Sequence, residues 1–158
     1  MKLRVYLDTS VIGGCFDIEF SVESHAILKM AKQGKITLLV SDLLLEELTH
    51  APENVKGVLP QVPVDSVEQV IRGEESRQLL QYYMEAGILS PSSENDAHHV
   101  ALATIARADV IASWNFAHIV NFKKIRLFNA VNLREGYPLI DIRSPSEVVE
   151  DEETNEIL

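Results

Sequence analysis

The stretch 36-ITLLVSDLLLEEL-48 decides the fold, because it joins a strand pattern to a helix pattern at one residue. Residues 36–40 form a short, mainly apolar run, which is typical of a strand buried on both faces. Ser41 follows, and serine is a preferred N-cap residue, so we expect a helix from about 42 to 50 that ends before Pro52. A buried strand that leads directly into a capped helix indicates a βα unit.

The same alternation continues along the chain. A run of strand formers at 3–7 stops at Asp8, and helical spacing at 24–33 ends at Gly34. The other expected elements are a short helix and loop at 52–65, a helix at 66–86, an alanine-rich helix at 93–108, strands at 109–112 and 125–128, and a short strand at 139–142. This order predicts a three-layer α/β domain with a central, mostly parallel sheet. Functional sites in such sheets form beyond the carboxyl ends of the strands, here just after residues 7, 40 and 112.

The composition excludes several classes of protein. Apolar residues make up 46% of the 158 residues and charged residues 24%, values typical of a globular domain and not of a disordered chain. No apolar run approaches the roughly 20 residues that span a bilayer, so we expect no membrane association. The N-terminal residues do not resemble a secretory signal, and the single Cys15 excludes an internal disulfide. These features favour a cytoplasmic protein.

The net charge of −10 is unevenly distributed. Six acids and no base lie between residues 147 and 158, so we predict a folded domain at 1–143 and an acidic C-terminal tail at 144–158. The tail is either a solvated terminus or a segment that shields a site for a polyanion. Lys123, Lys124 and Arg126 lie close together, and they form either a solvated face or an edge that contacts phosphates.

Acidic residues follow the predicted strands. Asp8 comes directly after the first strand, Glu46 and Glu47 lie on the helix after the second, and Asp96 lies in the first turn of the helix before the third. Each acid alone could be an ordinary helix cap or an exposed helix residue. Gathered at one edge of the sheet, however, carboxylates repel each other unless a cation joins them. Hard oxygen ligands without cysteine favour Mg²⁺ or Mn²⁺.

These motifs occur in an order that resembles the PIN-domain family, and more narrowly the VapC-type toxins of toxin–antitoxin pairs. The motifs are LDTSVI around Asp8, Ser41 followed by Glu47-Leu48, Asp96 at the start of an alanine-rich helix, and a strand leading to Ser113. The resemblance covers roughly residues 1–143, which it identifies as a PIN-like domain. It implies an α/β/α fold and a metal-dependent ribonuclease that hydrolyses RNA phosphodiesters. It also implies a homodimer restrained by a cognate antitoxin.

The resemblance assigns roles to particular residues. It implies that Asp8, Glu47 and Asp96 ligate Mg²⁺ or Mn²⁺. Glu46 is the alternative to Glu47, and because the two lie about 100° apart around a helix, they cannot both point into one site. The fourth position of the family pattern is usually an acid, and here it is Asn115.

Asn115 departs from the family pattern. Whether the loss of an acid at this position abolishes metal-dependent catalysis decides between two functions. An amide oxygen can still hold a metal or a water, but one negative charge is lost. We expect weaker binding or loss of a second metal, with Ser113 and Thr9 orienting ligands or waters. Glu135 could alternatively supply a late acid. The rival interpretation is a PIN-like scaffold that has lost catalysis and binds RNA or a protein partner.

Four further residues have both a functional and a structural interpretation. His98 and His99 follow Asp96 closely and are either general bases or polar helix positions. His118 either meets a phosphate or fills a turn. Trp114 either stacks on a base, as aromatic residues do in proteins that bind single strands, or packs in the core.

Overall fold

The computed structural model describes residues 2–150, which form a five-stranded, all-parallel sheet with the strand order β3-β2-β1-β4-β5. The strands are β1 Leu3–Leu7, β2 Ile36–Ser41, β3 Val67–Val70, β4 Val110–Ala112 and β5 Ile142–Arg143. The helices are α1 Thr9–Gly14, α2 Ser21–Lys32, α3 Asp42–Leu48, α4 Glu53–Lys56, α5 Glu74–Glu85, α6 Glu94–Ile105 and α7 Phe122–Arg134. The expected α/β fold with a parallel sheet is confirmed.

Hydrophobic side chains cover both faces of the sheet. Because successive side chains of a strand point to opposite faces, Val5 and Leu7 of β1 pack with residues of α1 and α2, whereas Tyr6 packs with residues of α5, α6 and α7. Residues 36–40 are likewise buried almost throughout, as predicted for a strand covered on both sides. The sheet is therefore the middle layer of three.

The strand order places β1 beside β4, and we call the region beyond their carboxyl ends, which starts at Asp8 and Ser113, the crevice. Strand β1 pairs with β2 on one side and with β4 on the other, and the register aligns Leu7 with Ala112. The chain winds outward in opposite directions from β1 and β4, so the carboxyl ends of these two strands mark the topological switch point, where ligands bind in open α/β sheets. Asp8 and Ser113 are the first residues beyond these two ends.

The predicted N-cap at the end of β2 is confirmed. The Oγ atom of Ser41 accepts a hydrogen bond from the backbone N–H of Leu44 at 3.0 Å. This bond satisfies one of the free N–H groups in the first turn of α3 and fixes the point at which the strand becomes a helix. The helix ends at Leu48, slightly before the predicted residue 50.

The strand predicted at 125–128 is wrong, because these residues lie inside α7. The Asn121 side chain caps this helix by accepting the N–H of Lys124 at 3.2 Å. Phe128 and Val131 are buried three residues apart on one helix face, a spacing that continues beyond the four residues used for the prediction. The strand predicted at 139–142 overlaps β5 only at its last residue.

The helix predicted at 66–86 begins later than expected. Residues 67–70 form the edge strand β3, in which Val67 is aligned with Leu38 and Val70 with Ser41. Two valines three residues apart fit a helix as well as a strand, and pairing with the open edge of β2 decides in favour of the strand. Helix α5 starts only after Gly73.

The described C-terminal residues belong to the folded body. Residues 145–150 are helical, and Val148 and Val149 are buried in the same cluster as the side chains of α1 and α2. The predicted division at residue 143 stays a prediction, and most of the predicted tail, residues 151–158, lies outside the described residues. Among the described helices, none is long and apolar enough to cross a membrane.

Two neighbouring glycines of α1 provide a test of the packing at the crevice. A Cβ atom on Gly14 would lie 2.7 Å from Ser24 Oγ and 2.9 Å from the Trp114 ring, whereas one on Gly13 would have no atom within 4 Å. We expect Gly14→Ala to lower the free energy of unfolding by about 1–3 kcal/mol through overpacking. Gly13→Ala should raise it by about 0.5–1 kcal/mol, because alanine is the better helix former. Urea unfolding of both variants measures these free energies. Equal stabilities of the two variants would contradict the close approach of Ser24 and Trp114 to Gly14.

Candidate functional site

Asp8 is held at the switch point by two serines. Its side chain is buried, with 4% of the residue exposed. The Ser10 hydroxyl donates to Oδ1 at 2.6 Å and the Ser113 hydroxyl donates to Oδ2 at 2.9 Å. The same two hydroxyl oxygens accept backbone N–H groups, Ser10 from Trp114 at 2.9 Å and Ser113 from Asn115 at 2.9 Å. The loop after β4 is thereby fastened to the loop after β1.

The environment of Asp8 opposes its charge. Burial is the main reason that the pKa of Asp8 lies above its ordinary value, and the negative charge of Asp96 raises it further. His99 and the hydrogen bonds from Ser10 and Ser113 act in the opposite direction without cancelling these effects. The ionised carboxylate of Asp8 is thus incompletely compensated by its own surroundings.

Glu47 faces the same crevice from α3. Its Oε1 atom accepts hydrogen bonds from the Thr9 hydroxyl at 2.8 Å and from His99 Nε2 at 2.6 Å. Burial works against the charged form, but the hydrogen bonds from His99 and Thr9 and the positive charge of Arg72 outweigh it and hold the pKa of Glu47 below its ordinary value. Since Thr9 is adjacent to Asp8, this contact brings α3 against the end of β1.

Glu46 lies on a different side of α3. Its side chain is 64% exposed and forms an ion pair with Arg72 at 2.5 Å. Arg72 also donates to Asp42, so these three residues form a separate surface cluster. Glu47 is therefore the acid of this pair that the fold directs towards Asp8.

His99 connects the site to the interior of the sheet. It is 2% exposed, and both ring nitrogens are used: Nε2 contacts Glu47, and Nδ1 lies 2.7 Å from the Tyr6 hydroxyl. The Tyr6 hydroxyl donates in turn to Ser41 at 3.0 Å. The sequence placed His99 near Asp96 by helical spacing, and the contact with Glu47, 52 residues away, could be found only from the fold.

Asp96 and Asn115 both contact His118 in the turn after β4. The Asp96 Oδ2 atom lies 2.9 Å from His118 Nδ1, and the Asn115 Oδ1 atom accepts the backbone N–H of His118 at 3.0 Å. The backbone carbonyl of Asn115 also accepts N–H groups from Ile119 and Val120 at 3.1 and 2.8 Å. The amide oxygen predicted to serve a metal or a water thus organises a turn that presents His118 to Asp96.

The remaining candidate residues have structural positions. Trp114 is 9% exposed, stacks on Phe20 with ring centroids 4.2 Å apart, and donates its indole N–H to Ser24 at 2.8 Å, so it packs in the core. His98 is buried beside Ser76 at 3.4 Å, and burial is the main reason that its pKa falls to about 4.

The basic and late acidic candidates lie along α7. Lys123 and Arg126 are exposed, whereas the Lys124 ammonium donates to the Ile88 carbonyl at 2.7 Å. Glu135 pairs with Arg134 at 2.7 Å at the end of the helix. The structure therefore gives Glu135 a local partner and leaves Lys123 and Arg126 on an open face.

The donor atoms suit a hard divalent ion by type, although they are not gathered into a finished site. Within residues 2–150, no group of three or more His, Cys, Asp or Glu side chains lies close enough together to hold a metal. Glu47 and Asp96 each use one oxygen in the contacts above, and within the same residues their Oε2 and Oδ1 atoms have no hydrogen-bond partner. Two carboxylate oxygens near the buried Asp8 are thus available to a ligand.

Comparison with known proteins confirms the fold. A chain of the VapBC2 complex from Rickettsia felis, bound to a DNA fragment from its promoter, matches with a TM-score of 0.56 and 12% identity over 90% of this chain and 98% of that one. A chain of FitAB bound to the IR36 DNA fragment matches with a TM-score of 0.54 and 14% identity over 89% and 94%. No protein-family model and no curated protein matches the sequence.

A further match is to FitAcB from Neisseria gonorrhoeae, with a TM-score of 0.54 and 14% identity over 89% of this chain and 97% of that one. At such low identity these likenesses show the fold alone. The α/β architecture with a parallel sheet that the sequence indicated is therefore shared with these neighbours, and the match extends over nearly the full length of each of them.

The raised pKa of Asp8 predicts a gain in stability when its charge is removed. The folded state binds this proton more tightly than the unfolded chain, so stability falls as the pH rises from about the ordinary value of 3.8 through the higher folded pKa. We expect Asp8→Asn to have a larger free energy of unfolding than the wild type at pH 7, with the difference shrinking as the pH falls through the folded pKa of Asp8 towards about 4. Denaturant unfolding across this pH range measures it, with the exposed Asp65→Asn as the matched control. Lower stability of Asp8→Asn than of the wild type at pH 7 would contradict the conclusion that the ionised carboxylate of Asp8 destabilises the folded state.

Proposed function

We propose that the protein is an endoribonuclease that hydrolyses RNA phosphodiesters with Mg²⁺ or Mn²⁺ held by Asp8, Glu47 and Asp96. The observation that carries the proposal is the incompletely compensated charge of Asp8 at the switch point, together with one oxygen each of Glu47 and Asp96 that has no hydrogen-bond partner among residues 2–150. A divalent cation supplies the missing positive charge at this position. Acids whose pKa values are shifted from the ordinary values, as those of Asp8 and Glu47 are, occur often at functional sites.

The chain's own residues hold the acids in place. Ser10 and Ser113 fix both oxygens of Asp8, Thr9 fixes one oxygen of Glu47, and His118 fixes one oxygen of Asp96. Each carboxylate is therefore oriented before a ligand arrives, which reduces the reorganisation needed on binding. The bound ion would lower the pKa of a water and stabilise the leaving oxygen.

The structural neighbours support a partner for this enzyme. VapBC2 and FitAB are described as complexes bound to DNA fragments. On this basis we propose that the protein is the toxin of a toxin–antitoxin pair, that a small cognate antitoxin restrains it, and that it acts as a homodimer in the cytoplasm. A small open reading frame immediately upstream, encoding a DNA-binding N-terminal segment, would support this assignment.

A second function is favoured by Asn115. This residue removes one charge from the family pattern and uses its amide oxygen to hold the turn at His118. A PIN-like scaffold that binds RNA or a protein partner without catalysis is consistent with this arrangement, because such a scaffold need not bind a metal.

Calorimetry with Mn²⁺ and cleavage of a single-stranded RNA by the purified protein separate the two functions. We expect Asp8→Asn and Asp96→Asn each to reduce Mn²⁺ affinity and cleavage by at least about 100-fold, since even residues that only support a metal ligand contribute 10–100-fold. Glu46→Gln is the matched control, because this acid is paired with Arg72 on the surface, and it should behave as the wild type.

Wild-type protein that binds RNA but not Mn²⁺, and does not cleave, would establish the scaffold. Unchanged Mn²⁺ binding and cleavage in Asp8→Asn and Asp96→Asn would refute the assignment of these ligands.

A further inference from the structure

The start of α7 carries positive charge in a chain whose net charge is −10. Residues 110–134 contain four bases and no acid, although acids outnumber bases in the rest of the sequence. Three of these bases, Lys123, Lys124 and Arg126, lie in the first five residues of the helix. The Lys124 ammonium is bound to the Ile88 carbonyl, so Lys123 and Arg126 are the exposed bases of this segment.

Acids do not neutralise these two exposed bases. Within residues 2–150, neither Lys123 nor Arg126 forms an ion pair, whereas Arg72 and Arg134 each pair with a carboxylate. A ligand with negative charge therefore meets no competing carboxylate at Lys123 or Arg126.

An exposed aromatic ring lies beside the same two bases. Phe122 is 77% exposed, although phenylalanine is usually buried, and the Arg126 guanidinium lies over its ring, 5.6 Å from the centroid. No other aromatic ring of residues 2–150 contacts it. Proteins that bind single-stranded nucleic acids combine cations that follow the backbone with aromatic rings on which bases stack. We call Phe122, Lys123 and Arg126 the α7 strip.

The α7 strip lies close to the crevice along the chain. His118, which contacts Asp96 at 2.9 Å, comes four residues before Phe122. Because consecutive Cα atoms are about 3.8 Å apart, the Cα atoms of His118 and Phe122 are at most about 15 Å apart. The Asn121 side chain caps α7 by accepting the N–H of Lys124, which fixes the start of the helix next to this turn. A strand bound in the crevice can therefore reach the α7 strip within a few nucleotides.

The acids of the crevice create a need for cations outside it. In the proposed function the divalent ion meets the phosphate that is cleaved. The acids are close enough for the charge of Asp96 to raise the pKa of Asp8, and they also repel the neighbouring phosphates of the same strand. Contacts of lysine and arginine with phosphates supply most of the affinity for a nucleic-acid backbone. Lys123 and Arg126 provide two such cations.

We propose that the α7 strip binds the RNA strand next to the cleaved bond, with Lys123 and Arg126 in contact with backbone phosphates and Phe122 stacked on an unpaired base. The inference rests on the proposed function, because it names the surface by which the same site holds its substrate. Bases in a duplex are already stacked on each other, so the strip favours single strands. Neither phosphate contacts nor stacking identifies a particular base, so the strip accepts many sequences.

The salt dependence of binding separates the two kinds of contact. Binding of a labelled single-stranded RNA is measured by fluorescence anisotropy in Mg²⁺ at several salt concentrations. Asp8→Asn is present in every protein, so that the RNA is not cleaved, and the added substitutions are Lys123→Gln, Arg126→Gln and Phe122→Leu. Lys29→Gln is the matched control, because it removes the same charge from an exposed lysine in the last turn of α2. That helix leads into the amino end of β2, at the edge of the sheet opposite the crevice.

We expect Lys123→Gln and Arg126→Gln each to reduce the slope of log affinity against log salt concentration by about 0.7, the value for one phosphate contact of a single strand. At a salt concentration of about 0.1 M, this slope corresponds to about a 5-fold loss of affinity. Phe122→Leu should weaken binding by at least about 5-fold, as for the loss of one stacked base, and leave the slope unchanged. Lys29→Gln should keep the affinity and the slope of its parent.

Two results would overturn the inference and leave the proposed function standing, provided that the wild type cleaves RNA. In the first, Lys123→Gln and Arg126→Gln change the slope no more than Lys29→Gln does, so the strip does not contact phosphates. In the second, Phe122→Leu binds RNA as well as its parent or lowers the slope as Arg126→Gln does, so Phe122 does not stack on a base.

The catalytic part of the proposed function can fail separately. If the substitutions in the α7 strip have the expected effects but the wild type neither binds Mn²⁺ nor cleaves RNA, the inference stands and the nuclease assignment fails. If neither the parent protein nor the wild type binds RNA, the inference and the proposed function both fail.

Discussion

The structure of the crevice depends on the burial of one carboxylate, Asp8, between the ends of β1 and β4. A buried charge is expensive unless hydrogen bonds satisfy it, and here the Ser10 and Ser113 hydroxyls occupy both oxygens. These hydroxyls also accept the backbone N–H groups of Trp114 and Asn115. The need of the buried Asp8 carboxylate for hydrogen bonds therefore determines the path of the loop after β4. The turn that contacts Asp96 starts from this fixed point.

Local sequence patterns predicted the parts of the fold that are determined locally. Ser41 was recognised as an N-cap because its preference for that position does not depend on distant residues. The errors occurred in two four-residue segments whose apolar positions fit a helix as well as a strand. Residues 125–128 continue a helical spacing that extends to Val131, and residues 67–70 became a strand because β2 had an open edge to pair with. Long-range pairing outweighs local preference in such short segments.

The candidate site was only partly predictable for the same reason. The strand-end rule selected the positions of Asp8 and Ser113, and the helical geometry of α3 required a choice between its two acids. The histidine contacts could not be predicted, since His99 meets Glu47 across 52 residues and His118 meets Asp96 across 22. These contacts change the electrostatic expectation: hydrogen-bond donors from two histidines stabilise two of the acids, and the charge that is left without sufficient compensation is that of the buried Asp8.

Asn115 can be understood from this distribution of charge. An aspartate at this position could accept the N–H of His118 equally well, because both side chains form such turns, so the turn alone does not require an amide. The two residues differ in charge. A carboxylate at 115 would add a negative charge to the loop whose Ser113 binds Asp8, and the pKa of Asp8 is already raised. With an amide, the turn is kept and the His118 ring contacts Asp96. The amide at 115 therefore keeps the turn at His118 without adding a negative charge near Asp8.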